Sequence, residues 1–579
     1  MKFLSLSLAL VGSLSLSSCS NVFQEGLRVV PLLKDHTRAQ HEAFATGAMI
    51  TSQGKASSEA GFEMLRQGGN IIDAAVAVSF AISVERPHST GIGGGGFLIF
   101  YESAKKQAHV FDFRETAPQK GHAKMFLNKD GSVSPDRSIT GPLAVATPGL
   151  VKGLYQIHRR FGKLPWKSTL APAIKLAEEG LVVYPHLVDA LKAEEKRLKA
   201  DPEATRIFFR ADGSIPKTGE RLKQLDLART LKKIAQQGEN GFYQGEVAKN
   251  ILRTIRLRGG LMTQADLDQY QVKERKAVTG KYHDYQLISM PPPSSGGTHV
   301  IQILNLLEPQ NLAQWGPQHP ESVHRTATAM QIAFADRAKY MGDPDFAEIP
   351  YEKLASKRYA RRMQKYFTDR AVPSSEFPLA QIPDGPSETT HFTLADKDEN
   401  IVVSTQTING WFGAALVARG TGIVLNNEMD DFAQAVGASN LFGAVGGDKN
   451  LVAPKKRPLS SMSPTIVLKE GRPVLALGTP SGTRILTCVA QTILNVLEYR
   501  LPLYEAVAAT RIHHQWKPEE LRVEMPFMND ATMLALRRKG HAVVQQGLGC
   551  QIQAIQRVGD QWVGVSDPRG EGLAIGTNR

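Results

Sequence analysis

The chain has 579 residues, of which 42% are hydrophobic and 22% charged, and its formal net charge is +13. This composition indicates a globular protein with one large core or two cores. The basic residues are spread along the chain without interleaved aromatic residues, which argues against a nucleic-acid interface and indicates a solvated surface that favours anionic ligands or anionic membranes.

Residues 1–19 are predicted to form an export signal, because Lys2 precedes an apolar Leu/Ser-rich run that ends in Leu16-Ser17-Ser18-Cys19. That tetrad looks like a bacterial lipobox, in which Cys19 is lipidated and becomes the mature N-terminus. The alternative is a simple secretory peptide cleaved near the same place, and in both cases the segment is not part of the fold. No later apolar run reaches the roughly 20 residues of a membrane helix. We therefore expect an exported, periplasmic or cell-surface protein with a soluble body, attached to a membrane only through a lipid on Cys19.

Two cysteines, Cys488 and Cys550, remain after Cys19. Both lie in apolar runs and neither belongs to a C-x-x-C pair. They would form one disulfide in an oxidising compartment, but their apolar surroundings favour two buried thiols.

The first elements predicted along the chain are two helices and two strands. Residues 57–67 form a helix with a serine cap, and the Ala-rich residues 71–84 form a buried helix. Strands at 97–101 and 108–113 follow the glycine-rich run 91–96. That run lacks the Lys-Ser/Thr of a phosphate loop and precedes a strand, so it indicates close backbone packing near a site.

Further along, residues 150–275 are predicted to be mostly amphipathic helices, and residues 322–341 another helix. Residues 370–388 are a linker rich in Pro, Gly and Ser, and residues 389–579 are mainly strands with two later helices. No internal repeat is present. The pattern predicts one large domain of helices and strands around stacked sheets, divided by the linker.

The tetrad Glu388-Thr389-Thr390-His391 lies where this linker meets a predicted hairpin, formed by residues 389–396 and 401–408. A hydroxyl residue that begins a strand behind a cleavable linker is what an N-terminal-nucleophile (Ntn) hydrolase requires. Cleavage of the Glu388–Thr389 bond would free the Thr389 α-amine, whose unperturbed pKa is about 8, as a general base for the Thr389 hydroxyl. The alternative is that two threonines simply begin a β-strand, as threonines often do.

The hairpin also suggests a partner for Thr389. Pairing residue 396 with residue 401 places Thr389 opposite Ile408 and next to Thr407, and a slip of one residue would place Thr407 directly opposite. Thr407 is therefore predicted to orient the Thr389 hydroxyl.

Three downstream segments could complete a site. Residues 425–432 contain a carboxylate cluster, residues 457–464 a turn with paired hydroxyls, and residues 477–484 a turn of small residues before a helix. Each alone is commonly structural. Together they offer carboxylates for an ammonium, donors for a carboxylate, and backbone N–H groups for an oxyanion.

From about residue 45 to residue 575 the chain resembles the γ-glutamyltranspeptidase family. The motifs that carry the resemblance are Gly68-Gly69-Asn70, Asp73-Ala74-Ala75, Gly93-Gly94-Gly95-Gly96-Phe97, Asp112-Phe113-Arg114-Glu115, Ala117-Pro118, Thr389-Thr390-His391, Leu425-Asn426-Asn427, Asp430-Asp431-Phe432, Pro458-Leu459-Ser460-Ser461-Met462 and Ser566-Asp567-Pro568-Arg569. The resemblance implies an α+β fold, the four-layer αββα Ntn-hydrolase sandwich.

It also implies autocatalytic cleavage of a zymogen before Thr389, into a large subunit (20–388) and a small catalytic subunit (389–579) that form a heterodimer. Thr389 would then attack a γ-glutamyl amide, such as glutathione, to give an acyl-enzyme. Water, or an amino acid or peptide acceptor, would resolve that intermediate. No cofactor or metal is implied.

The resemblance assigns the donor's α-carboxylate to Arg114, Ser460 and Ser461. A guanidinium suits this role, since its planar fork can bind a carboxylate through two parallel hydrogen bonds.

It assigns the donor's α-ammonium to Asn409, Glu428 and Asp431. The backbone amides of Ser481 and Gly482 would form the oxyanion hole.

Two residues depart from the family pattern. The family usually has Gly-Gly where this chain has Ser481-Gly482, so a Cβ crowds the turn and costs about 1 kcal/mol or more if φ is positive there. Relatives with a lid loop often carry Tyr where Phe442 stands, within residues 437–448. Phe keeps the apolar cover but lacks the hydroxyl, so we expect looser lid closure.

Three histidines could be mistaken for catalytic or metal-binding residues. His513 and His514 are adjacent, point to different faces and lack a suitably spaced third ligand, so structural packing is expected. His391 is expected to pack and not to act as a base, because the Thr389 amine already fills that role.

Two other functions remain open from the sequence. One is an acylase of the same fold that acts on glutaryl amides or poly-γ-glutamate, and the other is a non-enzymatic surface lipoprotein that keeps the fold. A complete amino-acid clamp argues against the first, and an intact set of Thr389, Thr407 and Arg114 against the second.

Overall fold

The computed structural model describes residues 35–376, 389–524 and 528–578, with side chains from residue 38 onward. The expected signal segment with Cys19, most of the expected linker, and Glu388 lie outside the described residues. The beginning of that linker packs on the body, since the Ser374 hydroxyl donates to the Trp516 carbonyl at 2.7 Å.

The α-helices of the described ranges, in chain order, are Asp35–His41 (α1), Lys55–Arg66 (α2), Ile71–Glu85 (α3), Leu150–Phe161 (α4), Trp166–Glu179 (α5), Pro185–Lys199 (α6), Pro202–Phe208 (α7), Leu225–Gln237 (α8), Asn240–Tyr243 (α9), Gly245–Leu257 (α10), Gln264–Gln269 (α11), Gly296–Leu307 (α12), Pro320–Tyr340 (α13), Tyr351–Leu354 (α14), Lys357–Met363 (α15), Arg484–Leu497 (α16), Leu503–Ala508 (α17) and Asp530–Arg538 (α18).

The strands of the same ranges are Glu42–Ala45 (β1), Met49–Ser52 (β2), Gly95–Glu102 (β3), Gln107–Asp112 (β4), Leu181–Val182 (β5), Arg221–Leu222 (β6), Lys273–Arg275 (β7), Val278–Tyr282 (β8), Tyr285–Ser289 (β9), Thr390–Ala395 (β10), Ile401–Thr407 (β11), Val417–Ala418 (β12), Ile423–Val424 (β13), Thr465–Lys469 (β14), Arg472–Gly478 (β15), Ile512–His513 (β16), Leu521–Val523 (β17), Val543–Gln545 (β18), Gln553–Val558 (β19), Gln561–Ser566 (β20) and Leu573–Gly576 (β21).

Two antiparallel sheets of seven strands dominate the described part of the chain. The β10 sheet has the order β21-β2-β10-β11-β3-β4-β7, and the β15 sheet has the order β1-β20-β19-β15-β14-β9-β8. Both sheets therefore combine strands that precede the expected cleavage site with strands that follow it.

Strand β3 shows how the layers are stacked, because neighbouring side chains in a strand point to opposite faces. Phe97, Ile99 and Tyr101 belong to a buried cluster with the β15 sheet and helices α12, α13 and α16. Leu98 and Phe100 belong to a second cluster with α2, α3, α5 and α8. The order helix, sheet, sheet, helix confirms the expected α+β, αββα architecture.

Helix α2 begins at Lys55, so the expected serine cap at residue 57 is wrong. Gly54 holds the cap position without a side-chain hydrogen bond. The Glu85 carboxylate, from the end of α3, instead accepts the backbone N–H groups of Ala56 and Ser57. A long-range contact thus satisfies the first amides of the helix.

The later helices follow the prediction with two differences. Residues 150–275 are mostly helical, as expected, and α13 begins two residues early because Pro320 occupies its first turn. After residue 389, the described residues contain α17 between the two later helices that were expected. Its six residues are too few to show an apolar repeat.

The prediction of two free thiols is wrong, because Cys488 and Cys550 form a disulfide with a Cα–Cα distance of 6.6 Å. Cys488 lies in α16 and Cys550 lies shortly before β19. Their apolar surroundings were correctly predicted, since both residues are fully buried. What the sequence did not show is that the fold brings these two positions together.

Candidate active site

The hairpin β10–β11 brings Thr389 beside Thr407. Thr390 pairs with Gln406 and Ala395 with Ile401, so the alternative register, shifted by one residue, is the one observed. The Thr389 and Thr407 hydroxyl oxygens lie 3.4 Å apart, and Thr389 is 5% exposed.

The turn of the hairpin explains the shift. The Asp396 carboxylate accepts the backbone N–H groups of Asp398 and Asn400, at 3.0 and 2.9 Å. Asp396 is therefore a turn residue whose side chain stabilises the loop. The pairing of the two strands ends at Ala395, which lies opposite Ile401.

The glycine-rich run lies against this hairpin, as expected. A Cβ on Gly94 would lie 2.0 Å from the Thr407 carbonyl oxygen, and one on Gly96 would lie 2.4 Å from the Thr405 carbonyl oxygen. The absence of side chains here lets β3 approach the end of β11, where Thr407 lies.

The turn after β15 has positive φ angles, the conformation in which a Cβ at residue 481 is strained. Ser481 has φ of 108° and Gly482 has φ of 52°. The Ser481 hydroxyl donates to the Leu548 carbonyl at 2.6 Å and accepts from the Arg484 Nε at 3.1 Å. Gly482 lines the same cavity as Thr389 and Thr407.

Arg114 is buried at this cavity with two carboxylates, because its guanidinium forms ion pairs with Glu428 and Asp431. Burial raises the pKa of Glu428 and of Asp431, and the adjacent Arg114 opposes that increase. The three groups expected to clamp an amino acid's carboxylate and ammonium thus pair with one another here. A zwitterionic ligand could exchange those pairings for its own.

The other expected binding residues line the same cavity. Asn409 has φ of 77°, and its side-chain amide donates to the Asn427 carbonyl at 3.0 Å. Ser460 and Ser461 are both buried, and the Ser460 hydroxyl accepts the Met462 N–H at 3.1 Å.

The loop that contains Phe442 is folded over the cavity. Phe442 is 5% exposed and lines the cavity itself. Asn440 donates to the Asp431 carboxylate at 2.8 Å, and the Leu441 N–H donates to the Asp430 carboxylate at 2.7 Å. The loop is therefore held by the same acidic cluster that pairs with Arg114.

Two charged residues at the site were not predicted from the sequence. Arg337 of α13 lines the cavity, and burial lowers its pKa to about 10. Glu115 is fully buried 3.9 Å from the Arg114 guanidinium, and burial raises its pKa to about 7. The sequence offers one signal for each residue. Arg337 is an arginine within an Ala-rich, largely buried helix, and Glu115 is a second charged residue directly after Arg114.

His391 is buried between the sheets and has a packing role, as expected. Its ring nitrogens lie 2.8 Å from the Thr405 hydroxyl and 3.1 Å from the Thr393 hydroxyl, and burial lowers its pKa to about 3.

His513 and His514 are also buried. The His513 ring contacts Thr487 and Gln515, at 2.9 Å each. Within residues 35–376, 389–524 and 528–578, no group of three His, Cys, Asp or Glu side chains could hold a metal ion. In the same ranges, no helix has the length and apolar character needed to cross a membrane.

Comparison with known proteins gives consistent matches. A sequence model described as Gamma-glutamyltranspeptidase matches residues 57–577. The glutathione hydrolase proenzyme of Escherichia coli K12 is 41% identical over 532 residues, which are 91% of each chain.

Two solved structures extend the comparison. A cephalosporin acylase from Bacillus halodurans has a TM-score of 0.83 at 26% identity, and the match covers 95% of this chain and 98% of the acylase. A Helicobacter pylori gamma-glutamyltranspeptidase chain has a TM-score of 0.55 at 41% identity, and the match covers 56% of this chain and 94% of that chain.

Proposed function

Since this chain belongs to the gamma-glutamyltranspeptidase family, we propose that it is a self-processed enzyme that hydrolyses γ-glutamyl amides, such as glutathione, or transfers their γ-glutamyl group. The observation that carries the proposal is the position of Thr389. Its hydroxyl lies 3.4 Å from that of Thr407, in a cavity that Arg114, Glu428 and Asp431 also line.

Processing would begin when the Thr389 hydroxyl attacks the carbonyl carbon of Glu388. The C–N bond then breaks, the acyl group moves to the hydroxyl as an ester, and the nitrogen becomes the Thr389 amine. Water hydrolyses the ester and separates the chain that ends at Glu388 from residues 389–579. The relative from Escherichia coli is named a proenzyme, in agreement with this maturation.

In turnover, the Thr389 amine would accept the proton of its own hydroxyl as the oxygen attacks the γ-carbonyl of the donor. The backbone N–H groups of Ser481 and Gly482 would stabilise the oxyanion. The leaving amine takes the proton, and an acyl-enzyme remains. Water or an acceptor amine then attacks this ester.

Donor recognition would exchange the ion pairs within the site for pairs with the ligand. The α-carboxylate would bind Arg114, Ser460 and Ser461. The donor's carboxylate would replace Glu428 and Asp431 as the counter-charge of Arg114, and these two side chains would then bind the α-ammonium.

Asn409 would complete the ammonium contacts of Glu428 and Asp431. These residues line one cavity with Thr389, so one donor could contact all of them while its γ-carbonyl faces the nucleophile.

Two observations favour the acylase alternative: the structural likeness to a cephalosporin acylase, and 37% identity over 523 residues to an acylase proenzyme of Pseudomonas sp. SE83. The acidic pair Glu428 and Asp431 opposes it, because a glutaryl group has no ammonium to balance two carboxylates. A γ-glutamyl anilide and a glutaryl anilide would separate these alternatives, and faster turnover of the glutaryl compound would support the acylase. Family membership favours an enzyme over a non-enzymatic lipoprotein.

Export and lipidation of Cys19 remain part of the proposal and depend on residues outside the described ranges. Mass spectrometry of the mature N-terminus would test them, because a diacylglycerol thioether on Cys19 differs in mass from a simple cleavage product.

The first test of the proposal is the replacement Thr389→Ala. The purified parent is expected to yield a small chain that begins at Thr389 and to hydrolyse a γ-glutamyl anilide. The Thr389→Ala chain is expected to remain uncut and inactive, since it has no nucleophile. Intact mass, N-terminal sequencing and anilide release measure both effects. A cut and active Thr389→Ala chain would overturn the assignment of the nucleophile.

A further inference from the structure

Arg337 is a second buried guanidinium at the proposed donor site. It projects from α13 into the cavity that Thr389 lines, and it is 5% exposed. Arg114 is neutralised by two ion-paired carboxylates. Arg337 instead makes its hydrogen bonds to serine hydroxyls, and it forms no ion pair with a carboxylate in the described part of the chain.

The contacts of Arg337 hold the paired-hydroxyl segment in place. Its Nε donates to the Ser295 hydroxyl at 3.0 Å, and its Nη2 donates to the Ser461 hydroxyl at 3.1 Å. The Ser295 hydroxyl in turn donates to the Ser460 carbonyl at 2.8 Å. One guanidinium therefore links the start of α12 to both serines expected to bind the donor's carboxylate.

These contacts also determine what Ser461 can donate. A hydroxyl has one proton and two lone pairs, and Arg337 occupies a lone pair of Ser461. The Ser461 proton therefore remains available for an acceptor in the cavity. A hydroxyl that accepts from a cation is also polarised into a better donor.

A buried cation without an ion-paired carboxylate is costly, because its removal from water is only partly repaid. The charge of Asp431 opposes the lowered pKa of Arg337, but Asp431 pairs with Arg114, so among the described residues no counter-charge contacts Arg337 directly. A ligand anion at Ser461 would supply that counter-charge. An anion is more strongly favoured here than near Arg114, whose charge is already balanced.

We propose that Arg337 is a positioning residue for the α-carboxylate of the donor, which it favours by orienting the Ser461 hydroxyl and by adding positive charge behind it. This inference rests on the proposed function and deepens it. It makes the α-carboxylate, and not only the γ-amide, a requirement for tight donor binding.

The test compares Arg337→Met with the parent, with γ-glutamyl p-nitroanilide as donor. L-glutamate and 4-aminobutyrate serve as competing ligands, because they differ only in the α-carboxylate. We expect the KM of the anilide and the inhibition constant of L-glutamate to rise together by about 10- to 100-fold, the range for hydrogen bonds to charged groups. Inhibition by 4-aminobutyrate should change less than about two-fold, and kcat less than about three-fold.

Three further variants define the interpretation. Arg337→Lys keeps the charge and should recover part of the loss. The effects of Ser461→Ala and Arg337→Met should be less than additive, because part of the effect of Arg337 passes through its contact with Ser461. Lys339→Met is the control, since it removes an exposed cation from the same helix and should leave all constants unchanged.

Equal weakening of both competing ligands, or a fall in kcat with KM unchanged, would overturn the positioning role. So would failure of both Arg337→Met and Arg337→Lys to be processed, because Arg337 would then be required for folding. Failure of the proposed function looks different, since the parent itself would then remain uncut or would be inactive on the anilide.

Discussion

Ser481 combines a positive φ with two side-chain hydrogen bonds, and these two features have opposite effects on stability. A Cβ at φ of 108° is strained by about 1 kcal/mol or more. The hydrogen bonds to the Leu548 carbonyl and from Arg484 compensate for that strain. The residue that replaces the usual glycine therefore brings its own compensation.

This balance predicts that Ser481→Ala is less stable than Ser481→Gly. Both replacements lose the two hydrogen bonds, but only alanine keeps the strained Cβ, so we expect a difference of about 1 kcal/mol in favour of glycine. Chemical denaturation of both variants measures it. Equal stability, or a more stable alanine variant, would show that the turn carries no strain.

Glu115 predicts a pH effect on stability. Burial raises the pKa of its carboxyl to about 7 from an ordinary value of 4.5. The folded state therefore holds a proton that the unfolded state releases, and stability falls as pH rises from about 4.5 to about 7.

The replacement Glu115→Gln keeps the shape of the neutral acid and removes this proton. Relative to the parent, we expect the variant to gain on the order of 1–3 kcal/mol of stability between pH 5 and pH 8. Thermal unfolding of the parent and of Glu115→Gln across this pH range provides the test. A constant difference between them would mean that Glu115 does not titrate there.

Among the elements, the hairpin shows how far local sequence reaches. Its two strands and its position after the linker followed from β-branched residues and a polar turn. Its register did not, because the strand pattern includes Asp396, whereas the Asp396 carboxylate caps the turn. Whether an Asp side chain hydrogen-bonds to the backbone of a turn depends on the local backbone geometry, which a pattern of β-branched residues does not reveal.

The site shows the same division. The residues expected from the motifs at 114, 409, 428, 431, 460, 461 and 482 all line one cavity with Thr389 and Thr407. The sequence does not indicate Arg337 and Glu115 as site residues, because what marks a charged side chain as buried in a site is its neighbours in space. Those neighbours come from segments that are distant in the sequence. The contact between Cys488 and Cys550 was missed for the same reason.

The disulfide links α16, which begins beside the turn of Ser481, to the segment that provides the Leu548 carbonyl. Closing a loop of 62 residues contributes about 4 kcal/mol in the chain-entropy description. We expect the double replacement Cys488→Ala with Cys550→Ala to lower the unfolding temperature and the rate of anilide release.

The parent treated with a reductant that reaches the buried disulfide is the matched comparison, since it keeps both side chains. Unchanged stability and activity in both samples would show that packing alone holds the turn.

At the scale of the whole molecule, the proposed cut falls within an interleaved structure. In the described ranges, five strand pairs join residues before the cut to residues after it: β2–β10, β3–β11, β2–β21, β1–β20 and β9–β14. Neither product would contain a complete sheet.

We therefore expect the two processed chains to remain together without any covalent bond between them. They should elute as one species in size-exclusion chromatography and appear as two bands on a denaturing gel. Dissociation in native buffer at low micromolar concentration would contradict the shared sheets. Thr389→Ala, which should give one band and the same elution volume, is the control.

Because both sheets contain strands from both products, the protein should refold less readily after cleavage than before it. Before cleavage, the strands of each sheet are connected by one chain, and a molecule that unfolds can search for its partners within itself. After cleavage, the same search requires an encounter between two separate chains that each expose half of two sheets, and aggregation competes with it. The cut that releases the nucleophile thus also slows the return to the folded state, and the persistence of the mature protein depends more strongly on slow unfolding.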